Sequence, residues 1–324
     1  MQALSTLPEP PAQLQPRMGD TTPSDDLRVQ NAREKSLSEH TRRNYRYQWD
    51  IWRGWAEFRS ASVLPAHPAM VERYIAERAE LGRKPSTLRT ALAAIAYIHR
   101  ITDMPSPITE DVRATLKGLT ELAGREQRQA PALTAEGMAA VRATACLPRR
   151  GRGGRPESAE YARARGLMDI AILALMRDAL LRVGEASALT WGCLSREPNG
   201  TGRLAIVHSK TDREGRGAVV YVSRQTMTDV DAIRDESAMP GASMFGLTRR
   251  QLINRVKAAC AAAGLGNRYS GHSARVGMAR DLVRAGTELS ALMNAGRWRS
   301  HDMPAHYTRA EAAGRGAVAQ YYGD

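Results

Sequence analysis

The apolar residues of this 324-residue chain recur every third or fourth position from Ser36 to near its C-terminus, and in one window only, Arg203 to Ser223, does the spacing fall to two. Helical spacing gathers apolar side chains on one stripe of a helix, whereas alternation gathers them on one face of a strand. The chain is therefore expected to be mainly α, with a single small β-hairpin. In that window Leu204, Ile206 and His208 alternate on the first run and Val219, Tyr221 and Ser223 on the second. A polar loop from Ser209 to Gly217, with Gly215 inside it, joins them.

Residues 1–33 are rich in Pro, Gln, Ser, Thr and Asp and lack an apolar period, which predicts a disordered leader. Residues 34–123 read as a small helical domain of four helices. The first is capped by Ser38 or Thr41, turns Tyr45, Trp49, Trp52 and Trp55 inward and leaves Arg42, Arg43, Arg46 and Arg53 on its other faces. The second runs from Pro68 to Leu81 before Gly82, the third from Ser86 to His99, and the fourth follows Thr109 and carries Val112, Leu116, Leu119 and Leu122. Residues 124–132 are polar and Pro-containing, as a linker should be, and would let two domains close around a cylinder such as duplex DNA. Residues 133–324 form the second domain. There the pattern predicts helices over Ala135–Ala145 and Ala162–Asp178 and a two-turn helix ending near Leu189. Beyond the hairpin come a helix capped by Thr248 with Gln251, one after Gly271 and one from Thr287 to Ala295.

Charge narrows the partner. Lys and Arg number 47 against 34 Asp and Glu, a net charge of +13, and the basic residues are interspersed with apolar ones rather than collected in a tail. Folded surfaces with that field favour a polyanion, first of all nucleic acid. A membrane surface is the rival, but no polybasic amphipathic segment or lipidation motif supports it. Cys146, Cys193 and Cys260 are widely separated and form no metal-type pair, and no signal-peptide pattern opens the chain. A cytoplasmic protein without disulfides is expected.

Cutting a phosphodiester needs a nucleophile, a way to hold negative charge on the non-bridging oxygens and a proton for the leaving oxygen. No carboxylate cluster shows ligand spacing for a metal, but two fixed guanidiniums can do the charge-holding work. The relevant stretches are Leu180-Leu181-Arg182-Val183-Gly184-Glu185, Ser270-Gly271-His272-Ser273-Ala274-Arg275, Gly296-Arg297-Trp298, and Tyr307, nine positions after Trp298. Taken singly, each has an ordinary explanation: an exposed arginine, a capping histidine, a core tryptophan. The ordered set does not.

That set resembles the tyrosine recombinase (phage integrase) family over residues 36 to 324. The resemblance implies an N-terminal all-helical, SAM-like core-binding domain and an α+β catalytic domain, acting without metal, ATP or cofactor. By the same resemblance Arg182 and Arg275 clamp the scissile phosphate, with Glu185 orienting the site behind them. His272 binds the phosphate and accepts the proton of Tyr307, the nucleophile, while Trp298 donates its indole N–H to the phosphate and Lys210, in the hairpin loop, protonates the leaving 5′ oxygen. Arg42, Arg43, Arg46, Arg83, Ser86, Thr87, Arg89 and Thr90 in the first domain, and Arg249 and Arg250 in the second, would face DNA. The segment Ala312 to Tyr322 resembles the terminal helix that docks into a neighbouring subunit. The short leader leaves no room for an arm-binding domain, so the expected partner is double-stranded DNA with a simple inverted-repeat site. The protein would be a monomer free in solution, a homo-tetramer on DNA, and nucleoid-associated. A nicking-closing enzyme of the type IB topoisomerase kind and a non-catalytic DNA-binding protein on the same fold are the alternatives.

Overall fold

The computed structural model describes residue 28 and residues 37–124, 129–150, 154–207, 217–314 and 321–322. The predicted leader apart from residue 28, most of the hairpin loop including Lys210, and most of the predicted terminal helix lie outside them. The chain divides into two compact units, Met1–Gln127 and Arg128–Asp324.

The first unit holds α1 (Glu39–Phe58), α2 (Pro68–Glu80), α3 (Pro85–Ile101) and α4 (Glu110–Leu122). Ser38, not Thr41, caps α1: its side chain accepts from the Thr41 N–H at 3.2 Å. Proline opens α2 and α3, where the missing N–H costs no helical bond. The core gathers Trp52, Tyr74, Ile75, Leu92, Ile95 and Val112, with the Trp52 and Tyr74 rings edge to face at 5.3 Å. Buried His99 accepts from the Ala66 N–H at 2.8 Å through Nε2, and its Nδ1 lies 2.8 Å from the Ile95 carbonyl, which fixes a neutral tautomer with the proton on Nδ1. Leu122 departs from the expected stripe. It ends α4 at 86% exposure, beyond the last turn that packs on the core.

The second unit is built on α6 (Ala159–Asp178), whose residues Ile170–Met176 are all buried. Helices α5 (Ala135–Thr144), α9 (Arg249–Ala262) and α10 (Ser273–Arg284) pack on it. Helix α6 starts a turn earlier than the apolar pattern suggests, because Ser158 caps a polar first turn, Ala159-Glu160-Tyr161. The predicted two-turn helix after it shrinks to a single turn, α7 (Val183–Ala186). The sheet has three antiparallel strands in the order β1 (Leu194–Arg196), β2 (Gly202–Ile206), β3 (Ala218–Val222). The pairing sets Leu204 opposite Val220 and Ile206 opposite Ala218. Leu204, Ile206 and Val222 point inward, and Val219 and Tyr221 face out at 68% and 63% exposure. Strand β1 is too short and polar to show a period, and α8 (Arg224–Asp231), capped by Ser223 at the end of the second run, is not legible in the pattern either. Helices α11 (Leu289–Gly296) and α12 (Asp302–Ala313) complete the described part of the unit. Asp281 ties three helices together, accepting from Arg177 on α6 and from the Ala135 N–H that opens α5, both at 2.8 Å. Among the described residues no helix is long and apolar enough to cross a membrane.

Candidate active site

Helix α6 stops at Asp178, and the chain reverses through Leu180, which takes a left-handed φ of 43°. This delivers Arg182 to the N-cap of α7, beside Glu185. The Arg182 backbone N–H donates to Glu185 Oε2 at 2.9 Å and its Nη1 donates to Oε1 at 2.7 Å. The Glu185 side chain is 3% exposed. Burial alone would raise its pKa, but the Arg182 backbone bond and the charges of Arg297 and Arg182 outweigh that and hold it below the ordinary 4.5.

Arg275, on the first turn of α10, is 1% exposed and donates through Nη1 to the Leu180 carbonyl and through Nη2 to the Gly296 carbonyl. Its guanidinium lies 4.3 Å from the centroid of the Trp298 ring, a cation–π distance. The ring needs Gly296: a Cβ there would sit 1.8 Å from a Trp298 ring carbon. Burial, together with the fields of Arg182 and Arg297, pushes the Arg275 pKa down to about 9, so it stays charged at neutral pH.

Tyr307 lies mid-way along α12. Its ring is 6.0 Å from that of Trp298, inclined at 65°, within an apolar cluster with Leu180, Ala279 and Leu292. One turn on, Glu311 accepts from Arg280 of α10, with Arg284 3.5 Å away, which fixes the rotation of α12 against α10. Burial raises the phenol pKa against the lowering fields of Arg275 and Arg182, so Tyr307 is neutral at pH 7. His272 stands at the N-cap of α10. Desolvation of its ring and the charges of Arg275 and Arg182 lower its pKa below 6.5, which leaves it neutral and able to accept a proton.

The fold thus brings together Arg182, Glu185, Arg275, Trp298 and Tyr307, with His272 close enough to feel both arginines. Arg249 opens α9 with its guanidinium against Gly184, beside the Arg182 turn; Arg250 is exposed next to it. In the first unit Arg42, Arg43, Arg46, Arg83, Ser86 and Arg89 are exposed, while Thr87 and Thr90 are partly covered. Arg43 pairs with Glu39 at 2.7 Å and Arg89 reaches Thr120 at 3.4 Å. Arg297 is the side chain that sequence reasoning passed over. It donates to Glu185 Oε2 at 2.9 Å, so two guanidiniums share a single carboxylate, with the third, Arg275, within its field. Such an excess of buried positive charge is costly without an anion and relieved by one. No group of three or more His, Cys, Asp or Glu side chains among the described residues could hold a metal ion.

The phage integrase family model matches residues 157–313, and the model of the phage integrase N-terminal SAM-like domain matches residues 32–102. The recombinase Cre of Escherichia phage P1 is 24% identical, over 90% of each chain. An integrase/recombinase XerD homolog of Selenomonas ruminantium is 22% identical, over 87% of this chain and 84% of its own. In fold, the chain is similar to the XerH site-specific recombinase solved bound to palindromic difH substrate in a post-cleavage complex. That match has a TM-score of 0.58 at 16% identity, over 83% of this chain and 76% of the other. The two matched regions span both units, and every described side chain of the arginine-tyrosine cluster falls within the larger one: the chain belongs to the phage integrase family and is a tyrosine site-specific recombinase.

Proposed function

We propose that the protein cleaves and rejoins duplex DNA through a 3′-phosphotyrosyl link at Tyr307. The observation that carries this reading is the row of Arg275, Trp298 and Tyr307: a buried cation over the face of an indole, and a phenol set edge to face with that indole. Arg182 and Arg275 supply the positive charge that holds the non-bridging oxygens of the scissile phosphate as the pentacoordinate state forms. Neutral His272 takes the phenol proton while the Tyr307 oxygen attacks phosphorus. The new bond is phenolic O–P. The bond broken is P–O5′, and the 5′ oxygen leaves as a hydroxyl with a proton from Lys210. Trp298 donates its indole N–H to a phosphate oxygen. The link keeps the phosphoester energy, so a 5′ hydroxyl from another strand reverses the step and completes recombination without ATP or metal.

The palindromic substrate on which XerH was solved supports an inverted-repeat duplex as partner, bound by two subunits and paired into a homo-tetramer. The net charge of +13 fits a duplex partner. In this reading the exposed arginines of α1, together with Arg83, Ser86, Thr87, Arg89 and Thr90 at and along α3, contact phosphates and base edges of the major groove. Arg249 and Arg250 add phosphate contacts at the start of α9.

The test is covalent capture. Duplex fragments of the genetic element that encodes the protein are incubated with it and denatured, and DNA joined to protein is sequenced. The expected result is a discrete inverted repeat linked through a 3′ phosphate, lost in Tyr307→Phe. Two captured sites placed on one supercoiled plasmid should then give deletion or inversion; relaxation alone would point instead to a nicking-closing enzyme.

A further inference from the structure

Arg297 stands where α11 stops, with φ 55° and ψ 43°. This left-handed conformation suits glycine and costs any residue with a Cβ. An arginine there is conformationally more expensive than glycine, so its side chain has to offset the difference. That side chain is 11% exposed. It donates to the Ala179 carbonyl at 3.0 Å, to the Leu180 carbonyl at 3.2 Å and to Glu185 Oε2 at 2.9 Å. It therefore grips both carbonyls of the turn that leads to Arg182, and the carboxylate that pairs with Arg182. Its Nε–H is buried without an acceptor.

Glu185 is divided as a result. Oε1 takes Arg182 Nη1, and Oε2 takes both the Arg182 backbone N–H and Arg297. A carboxylate shared between two guanidiniums neutralises each of them less than a private partner would. The Arg275 guanidinium also meets the Leu180 carbonyl that Arg297 holds, so one turn registers all three arginines.

We propose that Arg297 is a positioning residue for strand cleavage: by taking part of Glu185 and pinning the Ala179–Leu180 turn, it fixes where the Arg182 guanidinium points and how much of its charge reaches the phosphate. This rests on the reading of Arg182 as a phosphate ligand.

The experiment measures single-turnover adduct formation by the full chain at saturating concentration, on the inverted repeat obtained by covalent capture. R297G, E185Q and the double variant are compared with the unaltered protein. Glycine suits the left-handed position, so R297G removes the guanidinium without straining the backbone. The expected result is a fall of about tenfold or more in the saturated rate, with half-maximal DNA binding changed less than about threefold, and no further loss when R297G is added to E185Q. A purely stabilising role would lower the melting temperature and leave the saturated rate alone. A saturated R297G rate within about twofold of the unaltered protein, or effects of R297G and E185Q that multiply, overturns the proposal. If R297G does not fold, R297Q, which keeps a polar N–H donor and loses the charge, is held to the same thresholds. Failure of the parent reading is distinct: the unaltered protein would then form no adduct, or Tyr307→Phe would form one.

Discussion

The Arg275 guanidinium sits 4.3 Å from the Trp298 ring centroid, and both of its terminal nitrogens are committed to backbone carbonyls, those of Leu180 and Gly296. The cation is thereby locked in orientation before any phosphate arrives. An electrostatic site gains most when its charges need no rearrangement during reaction.

Trp298 covers that cation, and two substitutions separate covering from hydrogen bonding. Trp298→Ala should destabilise the protein by about 3–5 kcal/mol, the usual cost of emptying a large aromatic site, and should abolish adduct formation. Trp298→Phe keeps most of the cover and removes the indole N–H. Chemical denaturation should find it near the stability of the parent, with adduct formation slowed. A Phe variant cleaving at the parent rate would leave Trp298 only a packing role.

If His272 accepts the phenol proton, the single-turnover rate should be level above neutrality and fall as the pH drops through the His272 pKa, below 6.5. The lower pKa keeps the imidazole neutral at pH 7, the form a base needs. His272→Gln should lose that acid limb and lie well below the parent at pH 7.5. An unchanged limb in this variant would assign the titration to another group.

Glu185 gives a stability signature. Its folded-state pKa lies below the ordinary 4.5, so its ion pairs stabilise fully above that value and lose their contribution as the pH falls through the lower folded-state value. The stability gap between the parent and Glu185→Gln, from urea titrations, should therefore be constant above about pH 5 and shrink steadily in more acid solution.

Gly277 faces the Leu133 carbonyl so closely that an added Cβ would lie 1.8 Å from its oxygen. The same carbonyl accepts from Arg177, and the Leu133 N–H donates to the Ser273 carbonyl at 2.9 Å. Gly277→Ala must push α10 away from residue 133. A loss of about 3 kcal/mol or more is expected, as for the severe core substitutions, read as a fall in melting temperature.

Much of the fold was legible locally. Trp52 and its partners on α1, the Thr109 and Thr248 caps and the Pro68 helix start are written within a few residues of where they act. The pattern failed where tertiary contacts replace periodicity: β1 is held by pairing with β2, and α7 is a single turn held by Glu185. The ordered motifs likewise fixed which side chains to consider, Arg182, Glu185, His272, Arg275, Trp298 and Tyr307, because their identities and order lie in the chain itself. Only the tertiary structure decided that Arg275 is enclosed rather than exposed, and that α12 is rotationally set by Arg280 and Glu311. It alone gave Arg297 a share of Glu185. The partners in these contacts are 31 and 112 positions apart. A left-handed backbone at residue 297 and a shared carboxylate arise from how helices meet, and no short window of sequence encodes where helices meet.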